Sequence, residues 1–218
     1  MNKLIDLSHT IETGLITYKG LPAPVICDYL SREASKAQYA GDTTFHIGKI
    51  DMVANTGTYI DAPFHRYQDG RDIAELDLSS LAAIPAIKVV VDKKQTAIGV
   101  EAFQGLPLYG KAVLVQTGWS RHWKTDQYFE DHPHLTKEAA EFLTEQEVVL
   151  VGIDSLNIDS VATGERPVHS ILLGAGILIV EHLCRLEQLP DSDFKFYAVP
   201  VKVAGMGTFP VRAFAEIK

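Results

Sequence analysis

The chain has 218 residues, 46% of them hydrophobic, with 20 lysines and arginines against 28 aspartates and glutamates, a net charge of −8. That length and composition support a sizeable core in one domain, taken as residues 1–218. The negative balance, with no basic tract, excludes nucleic-acid backbone binding as a main task.

The start of the chain, Met1 to Asp6, reaches acid and then Ser8-His9 before an apolar run develops, unlike a secretory signal. Leu4 to Ile11 predicts a first strand and Ile47 to Ala54 a second. Ala86–Val91 and Ala112–Val115 are β-branched runs that fit a sheet covered on both faces. Thr136 is a good N-cap for a helix over Lys137–Gln146, with Ala139, Ala140 and Leu143 on its apolar face. Val148–Ile153 predicts a further strand ending at Asp154, and Phe194–Val203 and Val211–Ile217 predict closing strands. The apolar run Ile171–Val180 is too short to span a bilayer and contains two glycines, so no membrane contact is expected. Cys27 and Cys184 are isolated thiols outside any metal spacing; they fit a reducing compartment, and a cytoplasmic location is expected.

Chemistry concentrates in Asn55-Thr56-Gly57-Thr58-Tyr59-Ile60-Asp61-Ala62-Pro63-Phe64-His65. Asp61 and His65 offer a carboxylate and an imidazole, the groups that bind metals and move protons, and Pro63 restricts the chain between them. An ordinary alternative is a capping aspartate beside a surface histidine. Downstream, His169 and Glu181 bracket an apolar segment. A carboxylate at the core boundary needs a cation, either a metal or an arginine such as Arg166 or Arg212. Asp154 and Asp159 follow a buried strand and are pocket candidates or turn formers. The stretch holding His122, His132 and His134 predicts an exposed or subunit-contacting segment without metal spacing. His9 and His46 could face a pocket or satisfy a core contact.

Asn55 to His65 resembles the His-Thr-Gly-Thr-His-x-Asp-x-Pro-x-His signature of the cyclase-like metal-dependent hydrolases, which include bacterial kynurenine formamidase and isatin hydrolase. Ile5–His9, Thr117-Gly118-Trp119, Gly152-Ile153-Asp154, His169, Glu181, Pro200-Val201-Lys202, Gly205 and Pro210-Val211-Arg212 extend the likeness over nearly the whole chain. The resemblance implies an α/β fold with a mixed, barrel-like sheet and peripheral helices, of the swivelling β/β/α type, and a homodimer or larger oligomer. It implies that Asp61, His169 and Glu181 bind metal and that His65 shuttles protons. Asn55 and Tyr59 stand where the signature has two metal-binding histidines, so a first metal site is expected to be lost or weakened. One divalent ion, Zn, Mn or Mg, is therefore expected.

The resulting expectation is hydrolysis of a small amide, cyclic amide or lactone, with a place in tryptophan catabolism as one option. The alternatives are a non-catalytic ligand-binding homologue, with Asn55 and Tyr59 as ligand contacts, and a metal-free enzyme using Tyr59 and His65.

Overall fold

The computed structural model describes residues 2–218; Met1, the first residue of the expected domain, lies outside the described residues. The strands in chain order are β1 (Lys3–Asp6), β2 (Val25–Leu30), β3 (Ile47–Asp51), β4 (Tyr59–Asp61), β5 (Ile84–Val90), β6 (Ala97–Ile98) and β7 (Ala112–Gln116). They continue with β8 (His134–Leu135), β9 (Leu150–Ile153), β10 (Leu178–Glu181), β11 (Phe194–Tyr197), β12 (Thr208–Pro210) and β13 (Phe214–Ile217). The helices are α1 (Arg32–Ser35), α2 (Lys137–Glu145) and α3 (Pro167–Gly174). None is long and apolar enough to cross a membrane.

Nine strands form one mixed sheet in the order β1-β13-β11-β5-β7-β9-β10-β4-β12. The run β5-β7-β9-β10 is parallel, and antiparallel strands extend it on both sides. β7, β9 and β10 are buried on both faces, which is why their sequences are almost continuously apolar, whereas β5, beside the antiparallel strands, exposes Pro85 and Val90. Along β7, Ala112 and Leu114 join a core with Ile60, Val180 and Phe196, while Val113 and Val115 join a second core packed with Ala140, Leu143 and Leu172 of the helices. The expected mixed, barrel-like sheet with few peripheral helices is the observed architecture.

Several boundaries differ from the sequence reading. The first strand stops at Asp6, whose carboxylate accepts the Ser8 amide and turns the chain, so Leu7–Ile11 is not strand. The second ends at Asp51 and pairs only with β2, in an exposed two-stranded hairpin outside the main sheet. The strand expected from Val148 begins at Leu150, because Glu147 turns with φ 52° after α2. The run Ile171–Val180 divides into the end of α3 and most of β10, joined through Gly176 at φ 76°. Near the C-terminus Phe194–Val203 shortens to β11, with Pro200 making only an isolated bridge to Val211, and β12 appears before β13. Proline has no amide hydrogen to extend a ladder.

The stretch around His122–His134 is mixed: Lys124–Gln127, Glu130 and Asp131 are exposed as expected, whereas Tyr128 and His132 are buried and Trp119 donates its indole N–H to the Tyr128 carbonyl. α2 is capped as expected, Thr136 accepting the Ala139 amide, with Ala139, Ala140 and Leu143 buried.

Candidate active site

The register of three antiparallel strands builds one polar face. β10 places Glu181 opposite Tyr59 and Ile179 opposite Asp61, and β12 places Thr208 opposite Asp61. Side chains alternate along a strand, so Tyr59, Asp61, Glu181 and Thr208 share a face while Ile60 and Val180 point into the apolar core behind it. His65 follows on a short 3-10 turn over Pro63–His65, begun by Pro63. Gly207 makes that turn possible: a Cβ there would stand 2.4 Å from the His65 amide nitrogen. Gly57, at φ 69°, brings the preceding loop against Ile11 in a conformation L side chains rarely adopt.

His169 enters from the first turn of α3. Its Nδ1 lies 2.6 Å from Asp159 Oδ2, and the same carboxylate accepts the Val168 and His169 amides. Asp159 thereby satisfies amides at the helix start that have no partner within the helix. A carboxylate beside Nδ1 keeps the proton on that nitrogen, which leaves Nε2 as a lone-pair donor. Nε2 lies 3.7 Å from Asp61 Oδ2 and 3.7 Å from Glu181 Oε1.

Asp61, His169 and Glu181 are thus brought together, and neither arginine considered from the sequence meets Glu181. Arg212 pairs with Asp6, and Arg166 bonds backbone carbonyls. Glu181 Oε2 instead accepts the Tyr59 hydroxyl at 2.6 Å, and Oε1 accepts the Ile158 amide at 2.7 Å. Burial first, then the Glu181 and Asp61 charges, raise the Tyr59 pKa well above the ordinary phenol value, so Tyr59 is a donor at neutral pH. His182, which the sequence reading did not single out, packs behind Tyr59, with Nε2 3.3 Å from its hydroxyl and Nδ1 2.8 Å from that of Tyr128.

Thr208 was also missed. Its hydroxyl donates to Asp61 Oδ1 and lies 2.8 Å from His65 Nδ1. One hydroxyl hydrogen cannot serve both: an ionised carboxylate only accepts, so the threonine oxygen accepts from His65 Nδ1–H. His65 Nε2 is therefore the unprotonated nitrogen. No sequence pattern links residues 65 and 208; only the sheet does.

Asp154 and Asp159 are not on the cavity wall. Asp154 accepts the Thr117 and Gly118 amides and the Thr117 hydroxyl, a long-range tie to the end of β7 and not the local turn chemistry considered from sequence. His46 pairs with Asp28 at the surface, and His9 stacks on Trp123 with 4.0 Å between ring centroids. Neither belongs to the cavity beside Asp61, which has a volume of about 470 Å³ and includes Asn55, Tyr59, His65, His169 and Glu181 in its wall.

The donors suit a divalent cation. Asp61 Oδ2 is buried and makes no hydrogen bond. Burial opposes charge on His169, yet the Asp159 and Asp61 carboxylates and the Glu181 charge raise its pKa. Burial likewise raises Glu181. Carboxylates outnumber cations here, so the group favours bound positive charge, whether proton or metal ion. Donor atoms of Asp61, His65 and His169 also lie within 4.8 Å of one another. His65 Nδ1 is engaged by Thr208, which separates its chemistry from that of His169.

A family model described as "Putative cyclase" matches residues 5–160. The chain belongs to the cyclase family. Kynurenine formamidase of Bacillus cereus is 30% identical over 210 residues, covering 96% of this chain and 95% of that protein. The Bacillus cytotoxicus kynurenine formamidase is 32% identical over the same shares. Among solved structures, a "potential metal-dependent hydrolase with cyclase activity" superposes with TM-score 0.82 at 26% identity, covering 100% of this chain and 99% of that one. Isatin hydrolase A from Labrenzia aggregata, bound to benzyl benzoate, gives TM-score 0.83 at 22% identity over 99% and 94%, and shares the cyclase-family fold.

Proposed function

We propose that this cyclase-family chain is a metal-dependent hydrolase of a small amide, cyclic amide or lactone, of arylformamidase type. Asp61, His169 and Glu181 hold one divalent ion, and His65 carries the proton. The observation that carries this reading is the partnerless, buried Asp61 Oδ2 facing His169 Nε2 at 3.7 Å, with Glu181 Oε1 at the same distance beyond it. The named activity of the kynurenine formamidase relatives, aligned over almost their whole length, supports amide hydrolysis.

A bound divalent ion would polarise the substrate carbonyl and acidify water. Two carboxylates and an imidazole suit Zn or Mn, with Mg admitted by the oxygens. Each donor is oriented from behind: His169 by Asp159, Glu181 by Tyr59 and the Ile158 amide, Asp61 by Thr208. Glu181 Oε1, which also accepts the Ile158 amide, is the oxygen turned toward His169 Nε2, and Glu181 would help hold the ion from that side. Asn55 and Tyr59, at positions that the family signature gives to histidine, serve as hydrogen-bonding groups. His65, with Nδ1–H fixed on Thr208, accepts the proton of the attacking water at Nε2 and returns it to the leaving nitrogen or oxygen. Such general acid–base transfer contributes roughly a hundred- to ten-thousand-fold.

Formylkynurenine, and with it tryptophan catabolism, is one option for the substrate. The enzyme works as one domain over residues 1–218, in the cytoplasm and as a homo-oligomer. The exposed β2–β3 hairpin, with Ile26 opposite Ile50, supplies an apolar surface for a second copy.

The test is metal analysis and turnover of His65→Ala and Glu181→Ala on N-formyl aromatic amines, isatin-like cyclic amides and enol lactones. His65→Ala should keep its metal and lose turnover; Glu181→Ala should lose both. Sub-stoichiometric metal in the unmutated protein under every divalent supplement, or wild-type turnover in either variant, would overturn the assignment.

A further inference from the structure

Resting on the hydrolase reading above, we infer that the substrate is an anion: an amide whose body carries a carboxylate, received by Arg166 with Arg66 and Lys19. In a chain of net charge −8, the wall of the candidate cavity holds these three cations and a single carboxylate, Glu181. That carboxylate is already engaged by Tyr59 and the Ile158 amide. Among the described residues none of the three cations joins an ion pair, whereas Lys36, Arg71, Lys88, Lys124, Lys137 and Arg212 each do.

Arg166 is the best prepared of the three. Its Nη1 donates to the Ser160, Thr163 and Glu165 carbonyls at 3.1, 2.8 and 2.7 Å, which fixes the guanidinium on its own loop three residues before His169. Nε and Nη2 make no hydrogen bond to the described residues. A guanidinium held at one end, with donors left over, is preorganised for a carboxylate. Arg66 Nε is steadied by Ser170 Oγ at 2.9 Å, and Lys19 Nζ lies 5.0 Å from the centre of the Phe129 ring. Cations lining a concave site raise the local concentration of anions. Tyr18 and Leu21 complete the wall with apolar surface for the substrate's body.

The carboxylate is a spectator in the chemistry. Water oxygen bonds to the amide carbonyl carbon, the carbon–nitrogen bond breaks, and the nitrogen leaves with a proton; a formamide gives formate and the free amine.

The experiment compares the three formamidobenzoate isomers with neutral formanilide on the metal-loaded enzyme. The kcat/KM ratio of the preferred isomer to formanilide should exceed about tenfold. In Arg166→Gln that ratio should fall about tenfold, with part recovered in Arg166→Lys, and added salt should shrink it in the unmutated protein. If Arg166→Gln does not fold, the Arg66→Gln/Lys19→Gln double variant should lower the ratio at least about threefold. A second arm needs no turnover: calorimetry with benzenesulfonate, a poor metal ligand, and with neutral methyl phenyl sulfone, on chelator-treated protein. Sulfonate should bind more tightly than sulfone and lose that advantage in Arg166→Gln. Equal ratios for anionic and neutral amides, or sulfonate binding indifferent to Arg166, would overturn the inference. Failure to hydrolyse any amide, cyclic amide or lactone would instead defeat the hydrolase reading, with the sulfonate arm still deciding the anion site.

Discussion

Thr208 Oγ1 lies 2.8 Å from Nδ1 of His65, and that contact decides which nitrogen of the histidine is left without a proton. The threonine hydrogen goes to Asp61, so the His65 proton sits on Nδ1 and Nε2 is left basic.

Thr208→Val should therefore act through His65 and not through the fold alone. Turnover should fall roughly ten- to a hundredfold, less than the full general-base contribution, and the pH dependence of kcat/KM should change shape. Thr208→Ser should restore both. A valine variant with the unmutated pH profile would separate Thr208 from the proton path.

Asp159→Asn should weaken divalent metal binding about ten- to a hundredfold, because the carboxylate that holds His169 Nδ1–H is lost. It should also lower stability by about 1–2 kcal/mol through the α3 amides that Asp159 accepts. Competition with a chromogenic chelator reads the first effect and urea unfolding the second. Loss of stability with unchanged metal affinity would leave Asp159 a helix cap only.

Three histidines that are not proposed metal ligands, His182 among them next to Glu181, should make the fold acid-sensitive. Burial lowers His9 to about 4, with help from the Arg185 and Lys124 charges. Burial lowers His132 to about 4 as well, against the Pro133 carbonyl, and holds His182 well below its usual range. A histidine depressed in the folded state is protonated first in the unfolded chain. Its stabilising contribution is complete above the unfolded value near 6.5 and is lost as pH falls from there toward about 4. For His132 alone the loss is on the order of 3 kcal/mol. Urea unfolding at pH 7, 6 and 5 should show it, and His132→Leu should flatten the slope, since Nε2 of His132 is buried without a partner. Equal slopes in both proteins would remove His132 from the account.

The hairpin formed by β2 and β3 should hold copies of the chain together. Val25, Ile26, Tyr29, Ile47 and Ile50 are all exposed on it. Ile26→Lys with Ile50→Lys should shift the mass seen by light scattering to that of the monomer without loss of helix or sheet signal. An unmutated protein that is already monomeric at micromolar concentration would dispose of the idea.

The parallel strands were legible because burial on both faces writes continuous apolar runs, as in Ala112–Val115, and because Ala86–Val91 is largely β-branched although Val90 is exposed. β12 was hidden, since Thr208–Pro210 is too short for a periodic pattern and contains a proline. β3 was visible as a strand, though three residues shorter than read, and nothing local says that β2 will be its only neighbour. The buried character of Tyr128 and His132 was likewise invisible, because their hydrogen-bonding and packing neighbours include residues far along the chain, among them His182.

The sequence by itself determined the chemistry on offer: Asp61 and His65 four residues apart, His169 and Glu181 bracketing an apolar run, Asn55 and Tyr59 where the family signature has histidine. Those are local facts of identity and spacing. Only the tertiary structure decided which atoms face which. The register of β10 and β12 against β4 sets Glu181 across from Tyr59 and Thr208 across from Asp61, and α3 brings Asp159 behind His169. The physical reason is that proton positions and ligand geometry depend on contacts a few ångströms long between residues far apart in sequence, which pairing between strands fixes and chain-local propensity does not.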